Sequence, residues 1–383
     1  MKAIVKARIN PVTAPIIENG SILIKGKKII ALGSNITVPT SAEIISARGK
    51  TIIPGLIDAH THLGIDEEGL GWEGEDYNEI SEPITPQLRA IDGINPADMG
   101  LASARKHGIT TVMVAPGSAN VLGGEAAAIK TKGMVVDQMI VKSPVGIKAA
   151  FGENPKNVYG KLDKSPITRM GIAALLREAL IEAEDYRNQK AAKLKAGETI
   201  YRELKNESLL KILNKEIPLK AHAHRADDIM TAIRIAREFN LDLTIEHCTE
   251  GHLIADQIAA AGFAATVGPS LTGKSKVELK QQDFKTAAAL VAAGVKIALV
   301  SDHPVTPVKN ILFCAMLAVK AGLSKQEALK AVTINPAEIL GIENRVGSLA
   351  VGKDADLLIF NGDPLTFASN LESVMIDGEL ITF

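Results

Sequence analysis

The stretch Pro54–Gly64, PGLIDAHTHLG, places two histidines one residue apart, His60 and His62, directly after an apolar run (Ile52, Ile53, Leu56, Ile57). On a β-strand, residues i and i+2 point to the same side. Both imidazoles therefore reach one point, which is the spacing two ligands of a single metal ion require. Taken alone, an HxH on a strand also fits a pair of hydrogen-bonded core histidines, so the rest of the chain has to decide.

Working outward, apolar strand-like runs recur at 51–60, 109–115, 125–130, 144–150, 217–222, 241–247, 262–267 and 295–301. Helical patterns fall between most of them, among them NPADMGLASARKHG, RADDIMTAIRIAREFN, DFKTAAALVAAG and PVKNILFCAMLAVKAG. Several open on Pro or a polar residue and close on Gly or Asn. Continuous apolar strands alternating with helices predict a parallel sheet buried on both faces. Eight such units over roughly 290 residues predict an α/β fold of the (β/α)8 TIM barrel type. A doubly wound sheet is the runner-up, weakened because no GxGxxG opens a helix.

The two ends of the chain read differently. KAIVKARI alternates, NGSILIKGKKIIALG has the pattern of a hairpin, and GSLAVGKDADLLIF and LESVMIDGELITF are again strand-rich. Residues 1–53 together with 345–383 are expected to form one small β-sandwich-like domain, and residues 54–344 the barrel. Two segments exceed ordinary loop length. Residues 63–93 are acidic, and about 152–216 hold a helical insertion. Both follow strands and are expected at the C-terminal face of the barrel, as a lid or as an oligomer contact.

Composition narrows the function classes. The 383 residues carry a formal net charge of -1, with 46% hydrophobic, 23% charged and 3% aromatic residues. Near-neutral charge and few aromatics argue against nucleic acid as a partner. No run reaches the 18 apolar residues of a membrane span, and the N-terminus lacks the apolar core of a signal peptide. Two cysteines without CxxC spacing point to a reducing, cytoplasmic setting. A small-molecule substrate is the partner expected, with a homo-oligomer as a further possibility.

Of eight histidines, seven (His60, His62, His222, His224, His247, His252 and His303) fall at or just beyond the ends of predicted strands, and only His107 lies elsewhere. Asp302, in IALVSDHP, ends the last strand. In a parallel barrel these ends meet at one rim, and imidazoles with a carboxylate there suit zinc or another borderline divalent metal. His224, two residues beyond His222, is read as a substrate contact, with either histidine of HAH able to act as the ligand. His252 is read as structural. His303 should point away from Asp302. Arg225 and Lys156 are basic residues near the rim that would hold an anionic substrate group, surface charge being the alternative.

PGLIDAHTH, the later strand-end histidines, the SD near the last strand and VGSLAVGKDADLLIF together resemble the amidohydrolase superfamily over nearly the whole chain. Within it the chain is most similar to imidazolonepropionase-like proteins and metal-dependent dipeptidases. The resemblance implies that His60, His62, His222 and His247 bind metal, and that Asp302 binds metal and moves protons. It implies one or two divalent ions, zinc foremost. PVGIKAAFGENPK resembles the lysine strand of isoaspartyl dipeptidases, which implies a carboxylated Lys148 bridging two ions. Glu153 is the rival fourth-strand ligand, and Glu125 a weaker candidate for substrate. The implied activity is hydrolysis of an amide or cyclic amide C–N bond. Imidazolonepropionase activity and N-acyl or dipeptide hydrolysis are the variants within it. Two other readings stand beside it. One is a deaminase, disfavoured because Arg225 and Asp227 stand where HxxE would place a glutamate. The other is a scaffold that has lost catalysis, disfavoured because five ligands remain in register.

Overall fold

A computed structural model describes residues 1–199 and 201–381. Two sheets organise them. The first is built from both ends of the chain: β1 (Lys2–Ile9), β2 (Ile17–Lys25), β3 (Lys28–Gly33), β4 (Glu43–Ser46) and β5 (Thr51–Pro54). The second holds the next eight strands: β6 (Leu56–Thr61), β7 (Ile109–Val114), β8 (Leu122–Lys130), β9 (Ile140–Ala150), β10 (Leu219–Ala223), β11 (Leu243–His247), β12 (Ala264–Val267) and β13 (Ile297–Leu299). Strands β14 (Leu357–Phe360), β15 (Leu371–Ile376) and β16 (Glu379–Ile381) then return to the first sheet, whose order is β16-β15-β14-β5-β1-β2-β3 with β4 beside β1. Its inner face carries Ile4, Ile22, Ile52, Leu357 and Met375, a core separate from the one around the second sheet.

The second sheet runs in order from β13 back to β6 and nearly closes into a barrel. The seam between β13 and β6 is held just beyond the strand ends. Asp302 N donates to His60 O at 3.1 Å, and His62 N donates to His303 O at 3.0 Å. Asp58 reinforces the join by accepting from His60 N and from Ser301 N, both at 3.1 Å. Alternation along the strands sorts the side chains. Ile147, Leu219, Ala221, Ile245 and Val267 join the core shared with the surrounding helices, whose Leu209, Ile212, Ile229 and Ile233 face them. Lys148, Lys220, His222, Glu246 and Thr266 take the intervening positions, which face the barrel interior.

Two expectations are corrected here. The apolar run at 51–60 is two strands in different sheets, because Pro54–Gly55 ends β5 in the terminal sheet before β6 begins the barrel. The barrel is also not wholly parallel: β8 runs antiparallel to both β7 and β9. Only seven residues, 115–121, join β7 to β8, too few for a helical crossover of a dozen or more residues, so the chain reverses instead.

The insertion contains helices Glu153–Lys161, Arg169–Ala196 and Leu204–Leu213. The long one starts on a Thr168 cap to Gly171 N and ends on left-handed Gly197. It packs on its neighbour Leu204–Leu213 and on the barrel helix Ala226–Glu238, where Arg177 pairs with Glu238 at 2.9 Å. It thus forms an outer layer beside the barrel, and of the insertion only the first helix reaches the cavity described next. No helix among the described residues is long and apolar enough to cross a membrane.

Candidate metal centre

Two groups of metal-ligating side chains meet inside the barrel mouth: His60, His62 and Asp302, and His222, His224 and His247. Within each group the ligand atoms lie within 4.8 Å of one another. The groups adjoin, since the His60 and His247 ring centroids are 4.6 Å apart and those of His222 and His247 4.3 Å. Asp302 Oδ1 stands 3.4 Å from His62 Nε2 and 3.5 Å from His60 Nε2. Lys148 Nζ stands 3.1 Å from His60 Nε2, fully buried.

The ring nitrogens are divided by task. His60 Nδ1 donates to Glu246 at 2.6 Å, His62 Nδ1 to the Ala115 carbonyl at 2.7 Å, and His247 Nδ1 to the Gly268 carbonyl at 2.9 Å. His224 Nδ1 bonds the Thr249 hydroxyl at 2.7 Å. The opposite nitrogen of each then faces the shared space. His247 Nε2 and His222 Nδ1 are buried with no hydrogen-bond partner. A buried imidazole nitrogen left bare is costly unless something occupies it. One anchored nitrogen and one free is the arrangement metal-binding histidines adopt. Burial, first among several causes, holds His60 at about 4 and His224 at about 3 and keeps His222 and His247 well below the ordinary value. At neutral pH these rings are therefore uncharged, the form that binds a cation. The donor set, nitrogen-rich with one carboxylate, fits zinc or a similar divalent ion.

Backbone conformation places two of the groups. His247 pairs in register with Ala223, whose side chain faces the helices. His247 nevertheless reaches the interior because it adopts a left-handed backbone, φ 72°, as does Asp302 at φ 54°. Non-glycine residues seldom take this conformation, and those that do cluster at functional sites. Gly268, which holds His247 through its carbonyl, has φ 139°, and a Cβ there would lie 2.2 Å from the Val300 carbonyl oxygen.

Beneath the histidines lies a buried polar layer. Glu246 accepts from His60, from Lys220 Nζ at 3.2 Å and from the Thr266 hydroxyl at 2.9 Å. Burial would raise its carboxyl, but the Lys220 ammonium and the His60 hydrogen bond outweigh it and hold Glu246 well below the usual carboxylate range. Burial likewise opposes ionisation of Asp302, and the His247 and His62 imidazoles reverse the balance, holding that carboxyl low. Lys148 is lowered to about 8, chiefly by burial.

The cavity above this layer is about 380 Å³. His62, His222 and Asp302 form its floor, and Asp66, Tyr77 and Asn78 from the 63–93 loop form one wall. Asn154 and Asn157 on the first insertion helix, and Lys276 after β12, form another.

Other sequence-predicted residues stand apart from it. Glu125 turns outward from β8, where it accepts from Ser208 Oγ at 3.0 Å and Lys211 Nζ at 2.6 Å on a surrounding helix, and it does not line the cavity. Arg225 is held in a two-pronged pair by Asp227 at 2.8 and 2.9 Å, and neither it nor Lys156 lines the cavity. Glu153 opens its helix with its N–H on Glu278 Oε2 at 3.1 Å, outside both ligand groups. His252 bonds Thr286, and His303 Nδ1 accepts from Val308 N at 3.2 Å. Sequence reasoning missed Glu246, Lys220 and Lys276. The parity that Lys220 shares with His222 in LKAHA was the signal available for the second of these; Glu246, next to His247 in LTIEH, stands at the opposite parity on a regular strand and gave none.

Comparison with known proteins agrees with this geometry. The family model described as "Amidohydrolase family" matches residues 51–381. The crystal structure of an amidohydrolase from Thermotoga maritima MSB8 superposes with a TM-score of 0.97 at 42% identity, covering 100% of both chains. An imidazolonepropionase from Alkaliphilus metalliredigens (strain QYMF) is 26% identical over 96% of this chain and 91% of its own. Amidohydrolase tasK from Hapsidospora irregularis is 29% identical over 89% of this chain, which spans only 37% of that protein's length. A family match across the barrel and the returning strands β14–β16, around a buried cluster of histidines and one aspartate, establishes that the chain belongs to the Amidohydrolase family.

Proposed function

We propose that this protein is a metal-dependent hydrolase that cleaves an amide or cyclic amide C–N bond. In this reading residues 54–344 carry the chemistry, and residues 1–53 with 345–383 form the supporting terminal domain. The observation that carries it is the convergence of six side chains on one buried space. His60, His62, His222, His247 and Asp302 would hold the metal, with His224 beside them facing substrate. Lys148 joins the set by carboxylation, in which its neutral amine adds to carbon dioxide and a proton is released. A burial-depressed amine favours that reaction, and the product is an anionic oxygen ligand beside His60.

A divalent ion held by these residues would supply a water of pKa about 7 and polarisation of the carbonyl. The chain's own groups do the rest. Glu246 fixes the tautomer of His60, and the Ala115 and Gly268 carbonyls fix those of His62 and His247. Asp302, ionised and beside His62, takes the proton of the attacking water. It returns that proton to the leaving nitrogen as the C–N bond breaks.

Asp302→Asn tests the assignment. It keeps the shape but removes the proton acceptor, and kcat should fall by about 10²–10⁴, the usual worth of general acid–base catalysis. A variant of unchanged fold that retains near-wild-type kcat on any substrate of the wild type would exclude Asp302 from this role.

A further inference from the structure

Four of the five histidines at the centre have one ring nitrogen fixed: His60 by Glu246, His62 and His247 by backbone carbonyls, and His224 by Thr249. His222 is the exception. Its Nδ1 is buried with no hydrogen-bond partner among the described residues, and it is the nitrogen left for a cation. With Nδ1 bare, the ring carries its proton on Nε2, and that N–H needs an acceptor. Asn154 stands 3.4 Å from His222 Nε2 but offers the wrong group. Its Oδ1 is taken at 2.7 Å by Lys276 Nζ, which can only donate, so the amide turns its NH2 to the ring.

The acceptor in reach is Glu278, in the turn Val277–Leu279 after β12. Its Oε1 lies 3.9 Å from His222 Nε2 and 3.8 Å from both His224 Nε2 and Lys276 Nζ. That oxygen too is buried and without a hydrogen-bond partner among the described residues. Two orphaned groups of opposite kind, an N–H and a carboxylate oxygen, thus face each other about 1 Å beyond bonding distance. The other oxygen is committed. Glu278 Oε2 accepts at 3.1 Å from the N–H of Glu153, which opens the helix Glu153–Lys161 that brings Asn154 and Asn157 to the cavity wall. Gly152 permits this approach: at its φ of 82°, a Cβ would lie 2.8 Å from Glu278 Oε2 and from Asp228 Oδ2. Arg169, at 2.9 Å, neutralises the Asp228 carboxylate beside it.

Resting on the metal-dependent reading above, we propose that Glu278 is a positioning residue that joins His222 to the first insertion helix. Oε1 accepts from His222 Nε2–H and fixes the ring with Nδ1 toward the cation, while Oε2 keeps its hold on Glu153 N–H. Coordination at Nδ1 makes Nε2–H a stronger donor, so the two contacts reinforce each other and metal loading tightens the cavity wall. A carboxylate serves both N–H groups because each of its oxygens accepts. A glutamine cannot, since its NH2 accepts from neither.

The test compares the full chain with Glu278→Gln, each stripped by chelator and titrated with zinc against a chelating dye. Zinc affinity should fall by about 10- to 100-fold, the usual cost of losing the partner behind a ligating imidazole. Asn154→Ala, which removes the rival neighbour of Nε2, should leave zinc affinity near that of the wild type. Hydrogen exchange gives a readout that packing alone would not move. Zinc should slow exchange of the 152–161 amides in the wild type, and that slowing should be lost in Glu278→Gln even at saturating zinc. Should Glu278→Gln fail to fold, nitrogen-15 NMR of the histidine rings in the zinc-loaded wild type decides the matter, with the His222 proton expected on Nε2. Unchanged zinc affinity in Glu278→Gln, a loss in Asn154→Ala instead, or a His222 proton on Nδ1 overturns this proposal and leaves the hydrolase reading intact. A wild-type chain that binds no zinc overturns both.

Discussion

Replacing Glu246 by Gln removes one charge from the driest part of the barrel and changes little else. Glu246, Lys220 and His60 are all 0% exposed, so the Lys220 ammonium would lose the one carboxylate within ion-pairing distance of it among the described residues, at a position sealed from bulk solvent. Stripping one partner from a buried pair costs about 3–5 kcal/mol. The glutamine also offers an NH2 where the carboxylate accepted three hydrogen bonds, so at least one of His60, Lys220 and Thr266 loses its acceptor. Loss of the His60 contact frees that ring to turn, and metal affinity should fall by about 10–100-fold. The assay is urea denaturation of the metal-free protein, paired with zinc competition against a chelating dye. The double variant Lys220→Met, Glu246→Leu separates pairing from packing: with both charges gone, much of the lost stability should return. A single variant within about 1 kcal/mol of wild type, or a double variant no better than the single one, would refute the reasoning.

Lys148 gives the protein a pH dependence of definite sign. Its folded pKa, about 8, lies below the ordinary 10.5, so metal- and bicarbonate-free protein should lose stability as pH falls from about 10 to about 8, and Lys148→Met should remove that slope. Carboxylation needs the neutral amine, so the carbon-13 NMR signal of labelled carbamate should grow from pH 7 to 9. A signal that is flat with pH, or that persists in Lys148→Met, contradicts the assignment. At the junction of the two sheets, Lys130 is buried among Asp356, Asp354 at 3.2 Å and Asp377 at 3.4 Å. Lys130→Met leaves those carboxylates facing one another, and urea melts should show a loss of about 3–5 kcal/mol with zinc affinity unchanged.

The parts of this structure legible in sequence are those that periodicity controls. The apolar runs marked the positions of the barrel strands, and the HxH spacing placed His60 and His62 in one ligand group, even though β6 ends at Thr61 and its register with β7 is irregular between Asp58 and Thr61. Strand direction was not legible from LGGEAAAIK, which is equally apolar read either way, although the short link before it excluded a helical crossover. His247 and Asp302 reach the interior through left-handed backbone, a feature alternation does not report. Glu246 was hidden for the same reason: on an ideal strand it and His247 face opposite ways, and only the turn at His247 brings both inward. Glu125 failed in the other direction, since a carboxylate in an apolar strand suggests a site, and its partners Ser208 and Lys211 lie about eighty residues on in sequence. Lys276 lies in a loop, where no period exists to read.

The central claim is that His60, His62, His222, His247, Asp302 and a carboxylated Lys148 bind a divalent cation inside the barrel mouth. Anomalous diffraction from zinc-loaded crystals, collected on both sides of the zinc edge, tests it most directly. The account predicts one or two peaks in bonding contact with these side chains, with planar density extending from Lys148 Nζ. Fully loaded crystals with no peak among these residues, or with zinc bound only elsewhere on the molecule, would contradict it.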